Sequence, residues 1–195
     1  MAQGNKRKKA VLICGSPRKN GNTEMLLEIA VTELEKNNID TELVLLAGKN
    51  IRPCVACTKC KELMDRTCVM KDDDFHDVFN KMIEADAVII GSPVYFGSAT
   101  SQTTALLHRA GYVSRTNGQL LAGKVGGPVV VARRAGQNFT YAQLLYFYMI
   151  SDMIVPGSSY WNVAFGKGKG EVMEDGEGIE TITHFAGNIA RLLLG

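Results

Sequence analysis

The sequence predicts an α/β fold in three layers, with one five-stranded parallel sheet covered by helices on both faces. Three observations predict it. Apolar runs alternate with helix-patterned segments along the whole chain. The apolar runs are continuous in Val, Ile and Leu, as in sheets buried on both sides. A loop rich in Gly, Ser, Asn and Thr follows the first run and opens a helix.

The strands read as residues 9–14, 41–46, 87–91, 125–132 and 153–155. Helical spacing fills the gaps at 24–36, 75–85, 103–112, 139–151 and 179–194; the first carries Met25, Leu26, Ile29, Ala30 and Leu34 on one face. Five strands with a ligand loop after the first suggest the flavodoxin-like strand order 2-1-3-4-5. Its switch point lies between strands 1 and 3, so the loops leaving those strands should meet over one ligand.

At 195 residues and 46% hydrophobic content, the chain is expected to form a single domain, 1–195, with a Cys-rich loop at 52–70. Lys and Arg total 22 against 20 Asp and Glu, a net charge of +2 that gives no argument for nucleic acid or a membrane surface as partner. The local excess is a basic arm, Lys6, Arg7, Lys8 and Lys9, read as a frayed, solubilising N-terminus. No apolar stretch approaches the roughly 20 residues that span a bilayer, and no signal segment is visible, so a cytoplasmic location is expected.

The loop at 15–23, GSPRKNGNT, has the make-up of a phosphate cradle. A strand that turns into a helix presents free backbone N–H groups, hydroxyls and the positive end of a helix dipole at one point. Arg18 adds a forked set of donors. The competing reading is an ordinary strand-to-helix turn with its N-cap at Asn22 or Thr23. Spacing excludes a P-loop, because Asn22 stands where the lysine would be, and no G-x-G-x-x-G occurs. A ligand with one terminal phosphate is therefore expected.

The loop after strand 3, SPVYFGS at 92–98, suits a planar ring: Pro93 stiffens it, Gly97 permits close approach, and Tyr95 and Phe96 offer flat faces. Those aromatics can equally pack into the core. A third loop, 132–140, carries Arg133 and Arg134, either of which can face an anionic ring edge or phosphate. Residues 156–173, rich in Gly, Lys and aromatics and holding the only Trp, Trp161, read as an irregular lid or an oligomer contact.

Together, GSPRKNGNT and GSPVYFGS resemble the flavodoxin-like NAD(P)H-dependent FMN reductases over nearly the whole chain. The resemblance implies that Ser16, Arg18, Asn22 and Thr23 hold the FMN phosphate. It also implies that Pro93, Val94, Tyr95, Phe96 and Gly97 border the isoalloxazine; Arg133 of the third loop is the further cofactor contact expected.

The most specific signal is Cys54-x2-Cys57-x2-Cys60-x7-Cys68. Three cysteines at two-residue intervals can wrap a compact iron-sulfur cube, with a fourth completing the set. Structural zinc also accepts four thiolates, though it usually takes two separated C-x2-C hairpins; unmetallated redox thiols are the third reading. Lys59, Lys61, Arg66 and Lys71 surround the thiols with positive charge. Cys14 reads as a core residue, His76, His108 and His184 as packing or surface residues, and Asp72 to Asp74 as the solvated start of a helix.

The cysteine spacing resembles the iron-sulfur flavoproteins of anaerobic archaea and bacteria, within the same superfamily. That resemblance implies that Cys54, Cys57, Cys60 and Cys68 ligate one [4Fe-4S] cluster. It implies further that electrons pass between a ferredoxin-like donor, the cluster and FMN, in a homo-oligomer, a dimer or tetramer, where the cluster of one subunit approaches the FMN of another. The proline usual after the last ferredoxin cysteine is replaced by Val69. The alternatives are an NAD(P)H-dependent FMN or quinone reductase without a working cluster, and a zinc-stabilised binding module that is not an enzyme.

Overall fold

A computed structural model describes residues 7–195; Lys6 of the basic arm lies outside them. The chain runs β1 (Lys9–Cys14), α1 (Asn22–Lys36), β2 (Asp40–Leu45), α2 (Lys59–Leu63), α3 (Phe75–Glu84), β3 (Ala87–Pro93), α4 (Ser101–Thr116), β4 (Val125–Ala132), α5 (Gln137–Ile150), β5 (Val163–Phe165), a 3-10 turn (Glu171–Glu174) and α6 (Gly176–Leu194). All strands pair in parallel, in the order β2-β1-β3-β4-β5.

Period-two alternation on the central strand builds both layers. Val11 and Ile13 face a core shared with Phe79 of α3, Leu106 of α4 and Leu144 of α5. Ala10, Leu12 and Cys14 face the opposite core, closed by Leu26 and Leu27 of α1 and by Phe185 and Ile189 of α6. Cys14 is buried among these, and burial pushes its thiol up to about 11. It is a packing residue, inert as a ligand or nucleophile at neutral pH.

One strand lies elsewhere than expected. The run 153–155 makes a single bridge, Ile154 to Val125, and β5 is Val163–Phe165, inside the segment read as irregular. Pro156 ends the earlier run after three residues. The gap between the two pairings accommodates Pro128. Gly126 N donates to Ile154 O and Val130 N to Asn162 O, so the missing donor at 128 falls where neither segment pairs.

Candidate functional site

The loops after β1 and β3 border one cleft of about 360 Å³, joined by the chain around β5. Ser16, Arg18, Lys19, Gly21, Asn22 and Thr23 line one side, Pro93, Val94 and Tyr95 another, and Val131, Arg133 and residues 166–169 the rest.

The first loop is held in shape by its own groups. Ser16 Oγ accepts from Arg18 N at 3.1 Å, and Glu24 accepts from Asn20 N at 2.6 Å, holding Asn20 at a φ of 52°. Gly15 is required by close packing: a Cβ there would lie 1.9 Å from Thr103 Oγ1 on α4. Thr100, the N-cap of α4, donates to Gly15 O at 2.7 Å. The N-cap of α1 is Gly21, not Asn22 or Thr23 as the turn reading expected, and no side chain caps it. The first backbone donors of α1 are thus left for an anion.

Asn22 lines the cleft, but its amide braces the segment near β5. Nδ2 donates to Gly168 O at 2.8 Å, and Oδ1 accepts from Gly170 N at 2.7 Å. That brace brings Lys167 and Lys169 to the cleft, two cations that sequence reasoning missed. The alternation GKGKG was visible, yet only the position of β5 turns it inward. With Arg18, Lys19 and Arg133, five basic residues and no acidic residue among the described residues line the cleft.

The second loop divides. Pro93, Val94 and Tyr95 line the cleft, while Phe96 and Gly97 form the turn of a tight hairpin closed by reciprocal Tyr95–Ser98 hydrogen bonds. Both turn residues have positive φ, 52° and 77°, the conformation of the commonest two-residue hairpins. Phe96 is fully exposed at the lip. That exposure rules out the core-packing alternative for Phe96. Arg134 is exposed and does not line the cleft.

The four cysteines line a second, smaller cavity of about 20 Å³ with Val55, Met70, Arg109 and Val113. Cys60 and Cys68 are buried and Cys54 and Cys57 exposed. Burial raises the Cys60 thiol. Among the described residues, no three Cys, His, Asp or Glu side chains meet at the spacing of a single metal ion.

The donor chemistry nevertheless fits a thiolate-held group: four thiols face one cavity, and no carboxylate lines it. Ala56, Thr58, Met64 and Arg66 all have positive φ, and strained backbone of this kind gathers at sites that hold a group. Each such residue costs about 1–3 kcal/mol and persists only where its surroundings impose it.

Those surroundings are α3 and α4. Asn117 accepts from Arg66 N at 2.8 Å and donates to Cys60 O at 3.2 Å, while His76 Nε2 accepts from Cys68 N at 3.2 Å. Burial, then the Arg109 charge, lowers the His76 pKa, so the ring is neutral and able to accept. Asp73, expected on a solvated helix start, is fully buried and paired with buried Arg109. Burial by itself would raise its carboxyl, but hydrogen bonds from Arg109, Arg52 N and Phe75 N hold it below the ordinary value.

The fold and the two-loop cleft define the class of protein: a flavodoxin-like α/β protein with a basic cleft at its switch point. The solved structure of RosB superposes with a TM-score of 0.74 at 22% identity, over 96% of this chain and 80% of that one. A flavodoxin from the domain Archaea does so at 0.64 and 14%, over 96% and 99%. The family described as NADPH-dependent FMN reductase matches residues 8–168. An iron-sulfur flavoprotein of Methanocaldococcus jannaschii is 36% identical over 95% of this chain and 97% of its own length. One from Methanosarcina thermophila is 31% identical over 93% of each. The chain belongs to the iron-sulfur flavoprotein family within the NADPH-dependent FMN reductase superfamily.

Proposed function

We propose that the protein is an FMN-dependent oxidoreductase that passes electrons between a ferredoxin-like donor, a [4Fe-4S] cluster held by Cys54, Cys57, Cys60 and Cys68, and FMN in the 360 Å³ cleft. The carrying observation is the pairing of a basic, phosphate-loop cleft with a four-thiol cavity in one chain. When bound, FMN exchanges electrons singly or in pairs and an iron-sulfur cluster moves them one at a time.

The chain's own residues bind and orient. The uncapped start of α1, Ser16, Thr23 and Arg18 suit a terminal phosphate. Pro93, Val94 and Tyr95 form the wall for the ring, and Arg133 adds positive charge beside it. No side chain is assigned as general acid or base.

The sites sit toward opposite ends of α4. Thr100 binds the phosphate loop, whereas Arg109, Tyr112 and Val113 line the thiol cavity. At about 1.5 Å per residue, Thr100 lies about 14 to 20 Å along the axis from the cavity-lining residues Arg109 to Val113. This separation supports a homo-oligomer in which the thiol site of one subunit faces the cleft of its neighbour.

Stopped-flow reduction of the anaerobic holoprotein tests the route. Bleaching of FMN by reduced ferredoxin and not by NAD(P)H is expected. Direct bleaching by NAD(P)H, with the cluster uninvolved, would replace this reading with a nicotinamide-dependent FMN or quinone reductase.

A further inference from the structure

The buried face of α4 holds a charge that packing alone does not explain. Arg109 is 1% exposed, the largest fully buried side chain among the described residues, and it lines the same cavity as the four cysteines. Its guanidinium lies 4.0 Å above the Phe75 ring. Nη1 donates to Arg52 O at 3.2 Å and to Asp73, and Nη2 donates to Met70 O at 2.9 Å. These carbonyls flank the cysteine motif, two residues before Cys54 and two after Cys68. One side chain thus ties both ends of the loop to α4.

Of the three guanidinium nitrogens, Nε alone makes no hydrogen bond. It is buried and has no partner among the described residues. Buried donors are almost always paired, so such a group calls for an acceptor. A buried guanidinium is costly, and here a single buried carboxylate, Asp73, stands against it. The side chain that lines the thiol cavity is thus also the one that holds a buried donor without a partner.

We propose that Arg109 is a positioning residue for the group the cysteines hold: it fixes the ends of the loop, and its charge and free Nε–H set that group's reduction potential. This rests on the cluster reading above. One-electron reduction adds a negative charge at the site, and a buried cation with a donor toward sulfur favours the reduced form. The planar fork matters as well as the charge. Lysine retains the charge, but its three N–H groups radiate from one nitrogen and cannot reproduce the three bonds of the fork together with a further donor.

The test uses full-length protein purified anaerobically, with R109K and R109M beside it, and reads three things. These are iron and sulfide content, the cluster midpoint potential by EPR-monitored titration, and hydrogen exchange at 52–70 in cluster-free chain. FMN titration reports whether the rest of the fold is intact.

The expected result is a lower potential in R109M by at least a tenfold change in the reduction equilibrium, 59 mV for one electron, with a smaller drop in R109K. Faster exchange confined to 52–70 is expected in both, and loss of cluster from a variant that still binds FMN supports the positioning role. Unchanged potential in both loaded variants overturns the proposal, and so does unfolding of the whole chain in R109K, which would mark a purely structural residue. If the unsubstituted protein takes up no iron and sulfide, the cluster reading fails separately. The bracing of the loop is then decided by hydrogen exchange alone: unchanged exchange in both variants rejects it.

Discussion

At the scale of single residues, each site is governed by a few placed charges. Arg18 is the forked cation of the phosphate loop, and a charge-assisted hydrogen bond is worth about 1.5–3 kcal/mol. Arg18→Ala is expected to weaken FMN binding by about ten- to a hundredfold, read by quenching of flavin fluorescence, with thermal stability little changed. Asp73 is governed by its partner. Removing one member of a buried pair costs about 3–5 kcal/mol, so Asp73→Asn should lower stability by about that much in urea titrations at neutral pH.

The sign of the pH dependence follows from the direction of the shift. The Asp73 carboxyl is held below its ordinary value in the fold. Its contribution is therefore fully present above the unfolded carboxylate range, near about 4, and is lost as pH falls through the lower folded value. The Asn variant should show a flatter acid limb. The thiol motif was legible because metal chemistry imposes spacing. Arg109 was not: an arginine inside a helix pattern reads as a solvated face until the sheet is built, and Asp73 reads the same way in a run of three acids.

At the scale of elements, contact between neighbouring loops decides whether the cleft exists. The phosphate loop leans on α4 so closely that Gly15 has no room for a methyl group. Gly15→Ala should displace Thr103 or the loop and lower FMN affinity by at least tenfold, measured by titration, with a loss of thermal stability alongside. Five helices and four strands were legible from periodicity, because continuous Val, Ile and Leu runs and amphipathic stripes are set by the layers they bury. The fifth strand was not. Val163–Phe165 is three residues long and flanked by Gly, Lys and aromatics, and its pairing with β4 is a tertiary event without local signature. Missing it also hid Lys167 and Lys169. The double change to Gln should weaken FMN binding while leaving iron and sulfide content untouched, since the thiol cavity shares no residue with this segment.

In the whole molecule, α4 separates the two sites, with the switch-point cleft at its start and the thiol cavity along its second half. Communication within one subunit would have to cross that length. If subunits pair site to site, flavin reduction through the cluster should slow on dilution into the monomer range, while direct chemical reduction of bound FMN should not. Stopped-flow traces over a protein dilution series, set beside sedimentation, check this.

The central claim is that one chain carries a flavin in its switch-point cleft and an iron-sulfur group in its thiol cavity. Purification without oxygen, followed by an absorbance spectrum and a count of flavin, iron and sulfide, tests it most directly. One FMN with four iron and four sulfide per chain is expected. A colourless protein that carries zinc and takes up no FMN, even with the cofactor in excess, would contradict it.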